Sequence, residues 1–114
     1  MKTVVLKFGG TSVGSIDRIK KVCKIIAFYK KKKNRVIVVS SAMSGVTNEL
    51  VNKSKLISAT FDRAEYDALV STGEQVSCAL IAGRLKHIGL KSRSWTSWQL
   101  PIFTDGPHSS ARIS

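Results

Sequence analysis

Two short runs, Thr-Val-Val-Leu-Lys-Phe at residues 3–8 and Arg-Val-Ile-Val-Val-Ser at residues 35–40, are almost continuously apolar and rich in β-branched side chains. Such runs suit strands of a buried parallel sheet. Between them Ile16, Ile19, Val22, Cys23 and Ile26 recur at steps of three and four, which places one helical stripe against a sheet. Lys20, Lys21 and Lys24 fall on the other faces. Ser15 is placed to cap this helix and Asp17 suits its first turn. A strand, helix and strand of these lengths form a right-handed βαβ unit, so the carboxyl ends of both strands share one edge. Residues 9–10 and 40–41 then meet where open α/β sheets bind ligands.

The chemistry gathered at that edge points to phosphate. After Val4-Val5-Leu6 come Lys7, Gly9-Gly10 and Thr11-Ser12, just ahead of the helix. Glycines let backbone N–H groups approach phosphoryl oxygens that a Cβ would block, and the helix N-terminus adds unpaired donors and partial positive charge. Lys7 adds a full charge. The spacing from Gly9 to Gly14 matches a Walker loop, but Ser15-Ile16 stands where Lys-Ser/Thr belongs, which argues against a P-loop NTPase. The G-x-G-x-x-G dinucleotide fingerprint is also missing. Other readings of the same residues stay open at this level. Lys7 alone could snorkel from a sheet end to solvent, and Thr11 and Ser12 could serve as capping hydroxyls. Ser40-Ser41 could simply end a strand, Ser44-Gly45 could form a turn, and Glu74 could be a first-turn carboxylate complementing a helix dipole.

Downstream, Leu50, Val51 and Ile57 suggest a second helix, interrupted by Lys53 and Lys55. From Asp62 a longer helical pattern runs through Tyr66, Leu69, Val70, Val76, Leu80 and Ile81 towards Gly89, a natural C′ residue. Gly73 predicts a break in that pattern, because glycine costs about 1 kcal/mol relative to alanine inside a helix. Two helical pieces follow, with Glu74 near the start of the second. Residues 91–95 read as a third strand and residues 101–104 as a short strand entering a turn at Asp105-Gly106-Pro107. Trp95 and Trp98 are expected to pack; base stacking beside Lys91 and Arg93 is the other reading.

Composition narrows the class. A chain of 114 residues with 43% hydrophobic content supports one domain. The net charge of +12 raises nucleic acid as a partner, but Lys30-Lys31-Lys32-Lys33 and Arg35 sit at a helix end, where cations suit the macrodipole. Cys23 and Cys78 lie in apolar helical patterns, so buried reduced thiols are expected, and no metal site is implied. Val4-Val5-Leu6 is too short for a secretory core and no run of about 18 apolar residues is present, so a cytoplasmic protein without a membrane partner is expected.

Lys7-Phe8-Gly9-Gly10-Thr11-Ser12-Val13 resembles the N-terminal signature of aspartokinases, within the amino-acid-kinase family. Three further blocks carry the same resemblance: residues 40–48 (Ser-Ser-Ala-Met-Ser-Gly-Val-Thr-Asn), residues 71–77 (Ser-Thr-Gly-Glu-Gln-Val-Ser) and residues 104–113, which look like the family's hairpin region. The resemblance implies an α/β fold, a mostly parallel sheet with helices on both faces in a three-layer αβα arrangement, incomplete in this chain. Residues 1–114 would form the N-terminal part of an amino-acid-kinase domain, with the nucleotide-binding remainder and regulatory domains absent.

The resemblance also implies an activity: phosphoryl transfer from ATP, with Mg²⁺, to the β-carboxylate of L-aspartate, giving 4-phospho-L-aspartate for lysine, threonine and methionine synthesis. By the same resemblance Lys7 is the catalytic lysine that stabilises the phosphoryl group in transfer. Phe8, Gly9 and Gly10 complete the ATP-contacting loop, with Thr11, Ser12 and Ser41 at the phosphates. Thr47 contacts aspartate and Glu74 binds its ammonium group. Family chains are normally much longer, so a truncated chain without turnover of its own is expected. As partners, a homo-oligomer and a separately encoded remainder both stay open. Two rivals are a kinase of another amino acid or carboxylate and a small basic nucleic-acid-binding protein; specific nucleic-acid recognition is not expected. A third is a degraded gene product without activity.

Overall fold

In a computed structural model describing residues 1–100 and 102–114, the chain runs β1 (Thr3–Phe8), α1 (Ile16–Lys31), β2 (Arg35–Ser40), α2 (Val46–Ile57), α3 (Arg63–His87), β3 (Thr104–Asp105) and β4 (Arg112–Ile113). A 3₁₀ turn at Ser97–Gln99 precedes the last two strands. β1 and β2 pair in parallel with Thr3 opposite Arg35 and Phe8 opposite Ser40. The βαβ unit is therefore the one expected. β3 and β4 form a separate antiparallel hairpin, with Thr104 opposite Ile113.

The helix α1 starts where its chemistry says it should. Ser15 Oγ accepts the Arg18 N–H at 3.2 Å, Asp17 lies in the first turn and Lys30 and Lys31 lie in the last. Its stripe of Ile19, Val22, Cys23 and Ile26 is buried, and with Val13, Ile81 and Leu85 it forms the core. Leu6, Phe8, Val36 and Val38 pack against that core from the sheet. The lysine run closes the helix: Lys32 caps it and lies 4.3 Å over the Phe28 ring, while Lys30 Nζ donates to Asn34 O at 3.4 Å.

The strands alternate strictly. Val4, Leu6 and Phe8 and, beside them, Val36, Val38 and Ser40 turn towards α1 and α3. Val5, Lys7, Ile37 and Val39 turn to the opposite face, which no helix among the described residues covers. The α/β class and parallel strands are as expected, with one helical layer present in this chain.

Three local expectations change. The break at Gly73 does not occur: α3 is one helix of 25 residues, and Gly73 is buried in its middle. A Cβ at Gly73 would stand 2.9 Å from the Ala42 Cβ and 3.3 Å from Val46 Cγ1, so the glycine serves close approach and the packing it permits offsets its poor helix propensity. Residues 91–95 form no strand, because no neighbouring strand offers them a ladder; Ser92 Oγ instead donates to Ala82 O at 2.8 Å. Of the strand expected at residues 101–104, Pro101 lies outside the described residues and only Thr104 is in a strand.

Other expectations hold or shift by degrees. Gly89 takes a positive φ of 92° and ends α3 with paired bonds, Gly89 N–H to Lys86 O and Leu90 N–H to Leu85 O, the Schellman arrangement. The tryptophans expected to pack are half or more exposed; the Arg93 guanidinium lies 4.0 Å over the Trp95 ring. Both cysteines are free, Cys23 buried and Cys78 half-buried. Burial raises the thiol pKa of each, against the lowering effect of Arg84 on Cys23 and of the Ser40 backbone on Cys78, while Glu74 raises Cys78 further. Among the described residues no helix is long and apolar enough to cross a membrane.

Candidate phosphate and substrate site

The carboxyl edge of the β1–β2 pair is built from two loops that hold each other. Residues 9–14 form a tight double turn, with Ser12 and Val13 N–H both donating to Gly9 O at 3.1 and 3.3 Å and Gly14 N–H to Thr11 O at 3.3 Å. Val13 is fully buried and pins this turn to the core. Residues 41–45 lie alongside. Ser41 N–H donates to Phe8 O at 2.9 Å and Ser44 N–H to Gly10 O at 3.1 Å, so the two loops are linked at both ends. A Cβ on Gly10 would meet the Ala42 carbonyl oxygen at 3.1 Å, which explains why a glycine stands there.

Both flanking helices start at this edge. α1 begins after the Gly9 turn and α2 after Gly45, so two helix N-termini share it with their partial positive charge. The backbone N–H groups of Gly9, Gly10, Thr11, Ala42 and Met43 make no hydrogen bond among the described residues. Amides left unpaired beside helix N-termini are the donors an oxyanion needs.

The third wall comes from α3. Gly73 touches Ala42, and one turn on, the fully buried Ser77 donates its hydroxyl to Ser41 O at 2.7 Å. Ser40 Oγ donates to the same carbonyl at 3.0 Å. Glu74, between Gly73 and Ser77, is exposed at the rim, and Thr47 is exposed in the first turn of α2.

The structure thus brings together Phe8, Gly9, Gly10, Thr11, Ser12 and Ser41 at one edge, with Thr47 and Glu74 on neighbouring helices. Lys7 stands apart from Glu74: it lies on the uncovered face of the sheet opposite Val39, whereas α3 packs on the other face. Lys7 makes no ion pair among the described residues, where the pair recorded is Lys53 with Glu49 at 3.6 Å. Sequence reasoning missed Ser77. Its signal was the fourfold spacing Gly73, Ser77, Ile81, Leu85, one continuous buried stripe in which a serine replaces an apolar residue.

Comparison with known proteins agrees with this architecture. The profile of the amino acid kinase family matches residues 2–113. The chain is similar to an aspartokinase from Rickettsia felis, 47% identical over 116 residues that cover 99% of this chain and 29% of that protein. An aspartokinase from Geobacillus stearothermophilus is 50% identical over 113 residues, covering 99% of this chain and 28% of its own length. In space, a crystal structure of aspartate kinase from Synechocystis superposes with a TM-score of 0.75 at 44% identity, over 78% of this chain and 15% of that one. The chain spans less than a third of the length of the curated relatives it matches. With the family profile covering nearly every residue, this chain belongs to the amino acid kinase family.

Proposed function

We propose that the chain forms the phosphate end and part of the acceptor site of an aspartokinase, which transfers the γ-phosphoryl group of ATP to the β-carboxylate of L-aspartate. The observation that carries the reading is the pair of interlocked loops at the sheet edge, which present unpaired amides at two helix N-termini. Transfer to a carboxylate needs no general base, since the nucleophile is ionised at neutral pH. Positioning and charge stabilisation remain for the protein to supply.

In this reading the Gly9, Gly10 and Thr11 amides, with Phe8, Ser12 and Ser41 beside them, hold phosphoryl oxygens. Lys7 offsets the negative charge that develops on the transferring group. Thr47 and Glu74 hold aspartate, Glu74 through the ammonium group. Mg²⁺ accompanies the nucleotide phosphates in this reading, as the metal commonly does in phosphoryl transfer.

The test is a chimera in which this chain replaces the matching part of the Geobacillus stearothermophilus protein. With ATP, Mg²⁺, aspartate and hydroxylamine it should yield aspartyl hydroxamate, and L-glutamate in place of aspartate should yield none. The 114 residues alone should give no product above a no-enzyme control. A folded chimera that makes no hydroxamate would remove this reading.

A further inference from the structure

The parallel ladder between β1 and β2 stops two rungs short of where its register would carry it, beside Ser77. Arg35 N–H bonds Lys2 O at 2.8 Å and Ser41 N–H bonds Phe8 O at 2.9 Å, which fixes the alternation. Continuing the register of Phe8 with Ser40, the next two rungs would run from Gly10 N–H to Ser41 O and from Met43 N–H to Gly10 O. Neither forms. The Ser41 carbonyl instead accepts the hydroxyls of Ser77 at 2.7 Å and Ser40 at 3.0 Å, and the Gly10 carbonyl accepts Ser44 N–H at 3.1 Å. Two facing backbone donors, Gly10 N–H and Met43 N–H, are left without partners among the described residues.

We propose that Ser77 is a positioning residue for the phosphate site: its buried hydroxyl draws the Ser41 carbonyl onto α3 and thereby keeps the Gly10 and Met43 amides open for an oxyanion. The inference rests on the phosphate reading of this edge and adds the device that prepares it. The geometry restricts which residue can do this. Ser77 is fully buried, has one proton to give, and gives it over 2.7 Å rather than to its own helix at Glu74 O, 3.1 Å away. Gly73 makes the reach possible, because one turn earlier on the same face it lets α3 close on Ala42. Without the Ser77 hydroxyl, the Ser41 carbonyl keeps the Ser40 hydroxyl at 3.0 Å but has one lone pair free, and the donor in register with it is Gly10 N–H. A carbonyl oxygen has two lone pairs, and a part-buried one gains by taking a second donor that stands in register.

The experiment uses the ¹⁵N-labelled 114-residue chain with sodium tripolyphosphate as probe, comparing wild type, Ser77→Ala and Ser77→Cys. Wild type should show Gly10 and Met43 cross-peaks that exchange fast with solvent and move on titration. In Ser77→Ala, Gly10 amide exchange should slow and tripolyphosphate affinity should fall about tenfold, the loss expected for one charge-assisted bond, with Ile81 and Leu85 peaks unmoved. Should the alanine variant unfold, Ser77→Cys carries the same readouts, since a thiol fills the site but donates weakly and should give the same changes in smaller measure. A variant whose Gly10 exchange is unchanged overturns the proposal, whatever its affinity, because Ser77 would then be structural only. Wild type whose Gly10 and Met43 peaks ignore tripolyphosphate overturns the phosphate reading itself, and the positioning role falls with it.

Discussion

Both faces of the β1–β2 pair carry apolar side chains in sequence, and the two are very different in structure. On one face Leu6, Phe8, Val36 and Val38 meet the buried stripes of α1 and α3. On the other, Val5, Ile37 and Val39 are 61%, 48% and 46% exposed, and Lys7 stands at the carboxyl end of their row. The comparison shows that a continuous apolar run reports what a strand can bury, whereas what it does bury is decided by the helices the chain brings to it. It also divides the proposed chemistry. Lys7 comes from the uncovered face, and Thr47 and Glu74, the groups proposed for the acceptor, come from helices associated with the covered one.

The largest contrast between the faces is expected in stability. Ile81→Ala, on the buried stripe of α3, should cost about 2–5 kcal/mol in urea unfolding. A loss below 1 kcal/mol would mean that the covered face is not the core. The functional division comes next. In the chimera, Lys7→Ala should lower kcat about a hundredfold, because charge on the transferring group grows towards the transition state. Glu74→Ala should instead raise the aspartate KM roughly tenfold with little change in kcat, since an ammonium contact made in ground and transition states alike removes uniform binding. If both variants changed the same parameter, the separation of roles by face would be wrong.

Two smaller effects sharpen the same contrast. Gly73→Ala pushes a methyl to 2.9 Å from Ala42 on the covered side and should destabilise by about 1–3 kcal/mol despite the better helix propensity of alanine. A stabilised variant would show that α3 does not lean on the 41–45 loop. On the uncovered face, Ile37→Thr should change stability by less than about 0.5 kcal/mol, because threonine keeps the β-branch and little buried area is lost. A cost near that of Ile81→Ala would indicate that something covers this face in solution.

What the sequence made legible was what local physics settles. The β-branched runs, the stripe of α1 from Ile19 on, its Ser15 cap and the Gly89 C′ turn all rest on residues a few positions apart and appear where they were expected, whereas Ile16, in the first turn, is exposed. The misses depend on distant partners. Gly73 reads as a helix breaker until Ala42, thirty-one positions earlier, is seen against it. Residues 91–95 have strand composition but no adjacent strand. Ser77 looks like any helical serine until the Ser41 carbonyl is found above it. The βαβ geometry brought residues 9–10 and 40–41 to one edge, as observed, while the side of the sheet on which Lys7 lies needed the pairing register.

The unbroken course of α3 has a mechanical consequence. Near its start, both carboxylate oxygens of Asp67 hold the hairpin loop, accepting Ser109 N–H at 2.8 Å and Ser109 Oγ–H at 2.9 Å. Ten residues on, about 15 Å along the same rod, Ser77 grips the Ser41 carbonyl. One unbroken helix therefore holds the hairpin at Asp67 and the 41–45 loop at Ser77. The hairpin and the loop beside the glycine turn, distant in sequence, thus share a single support.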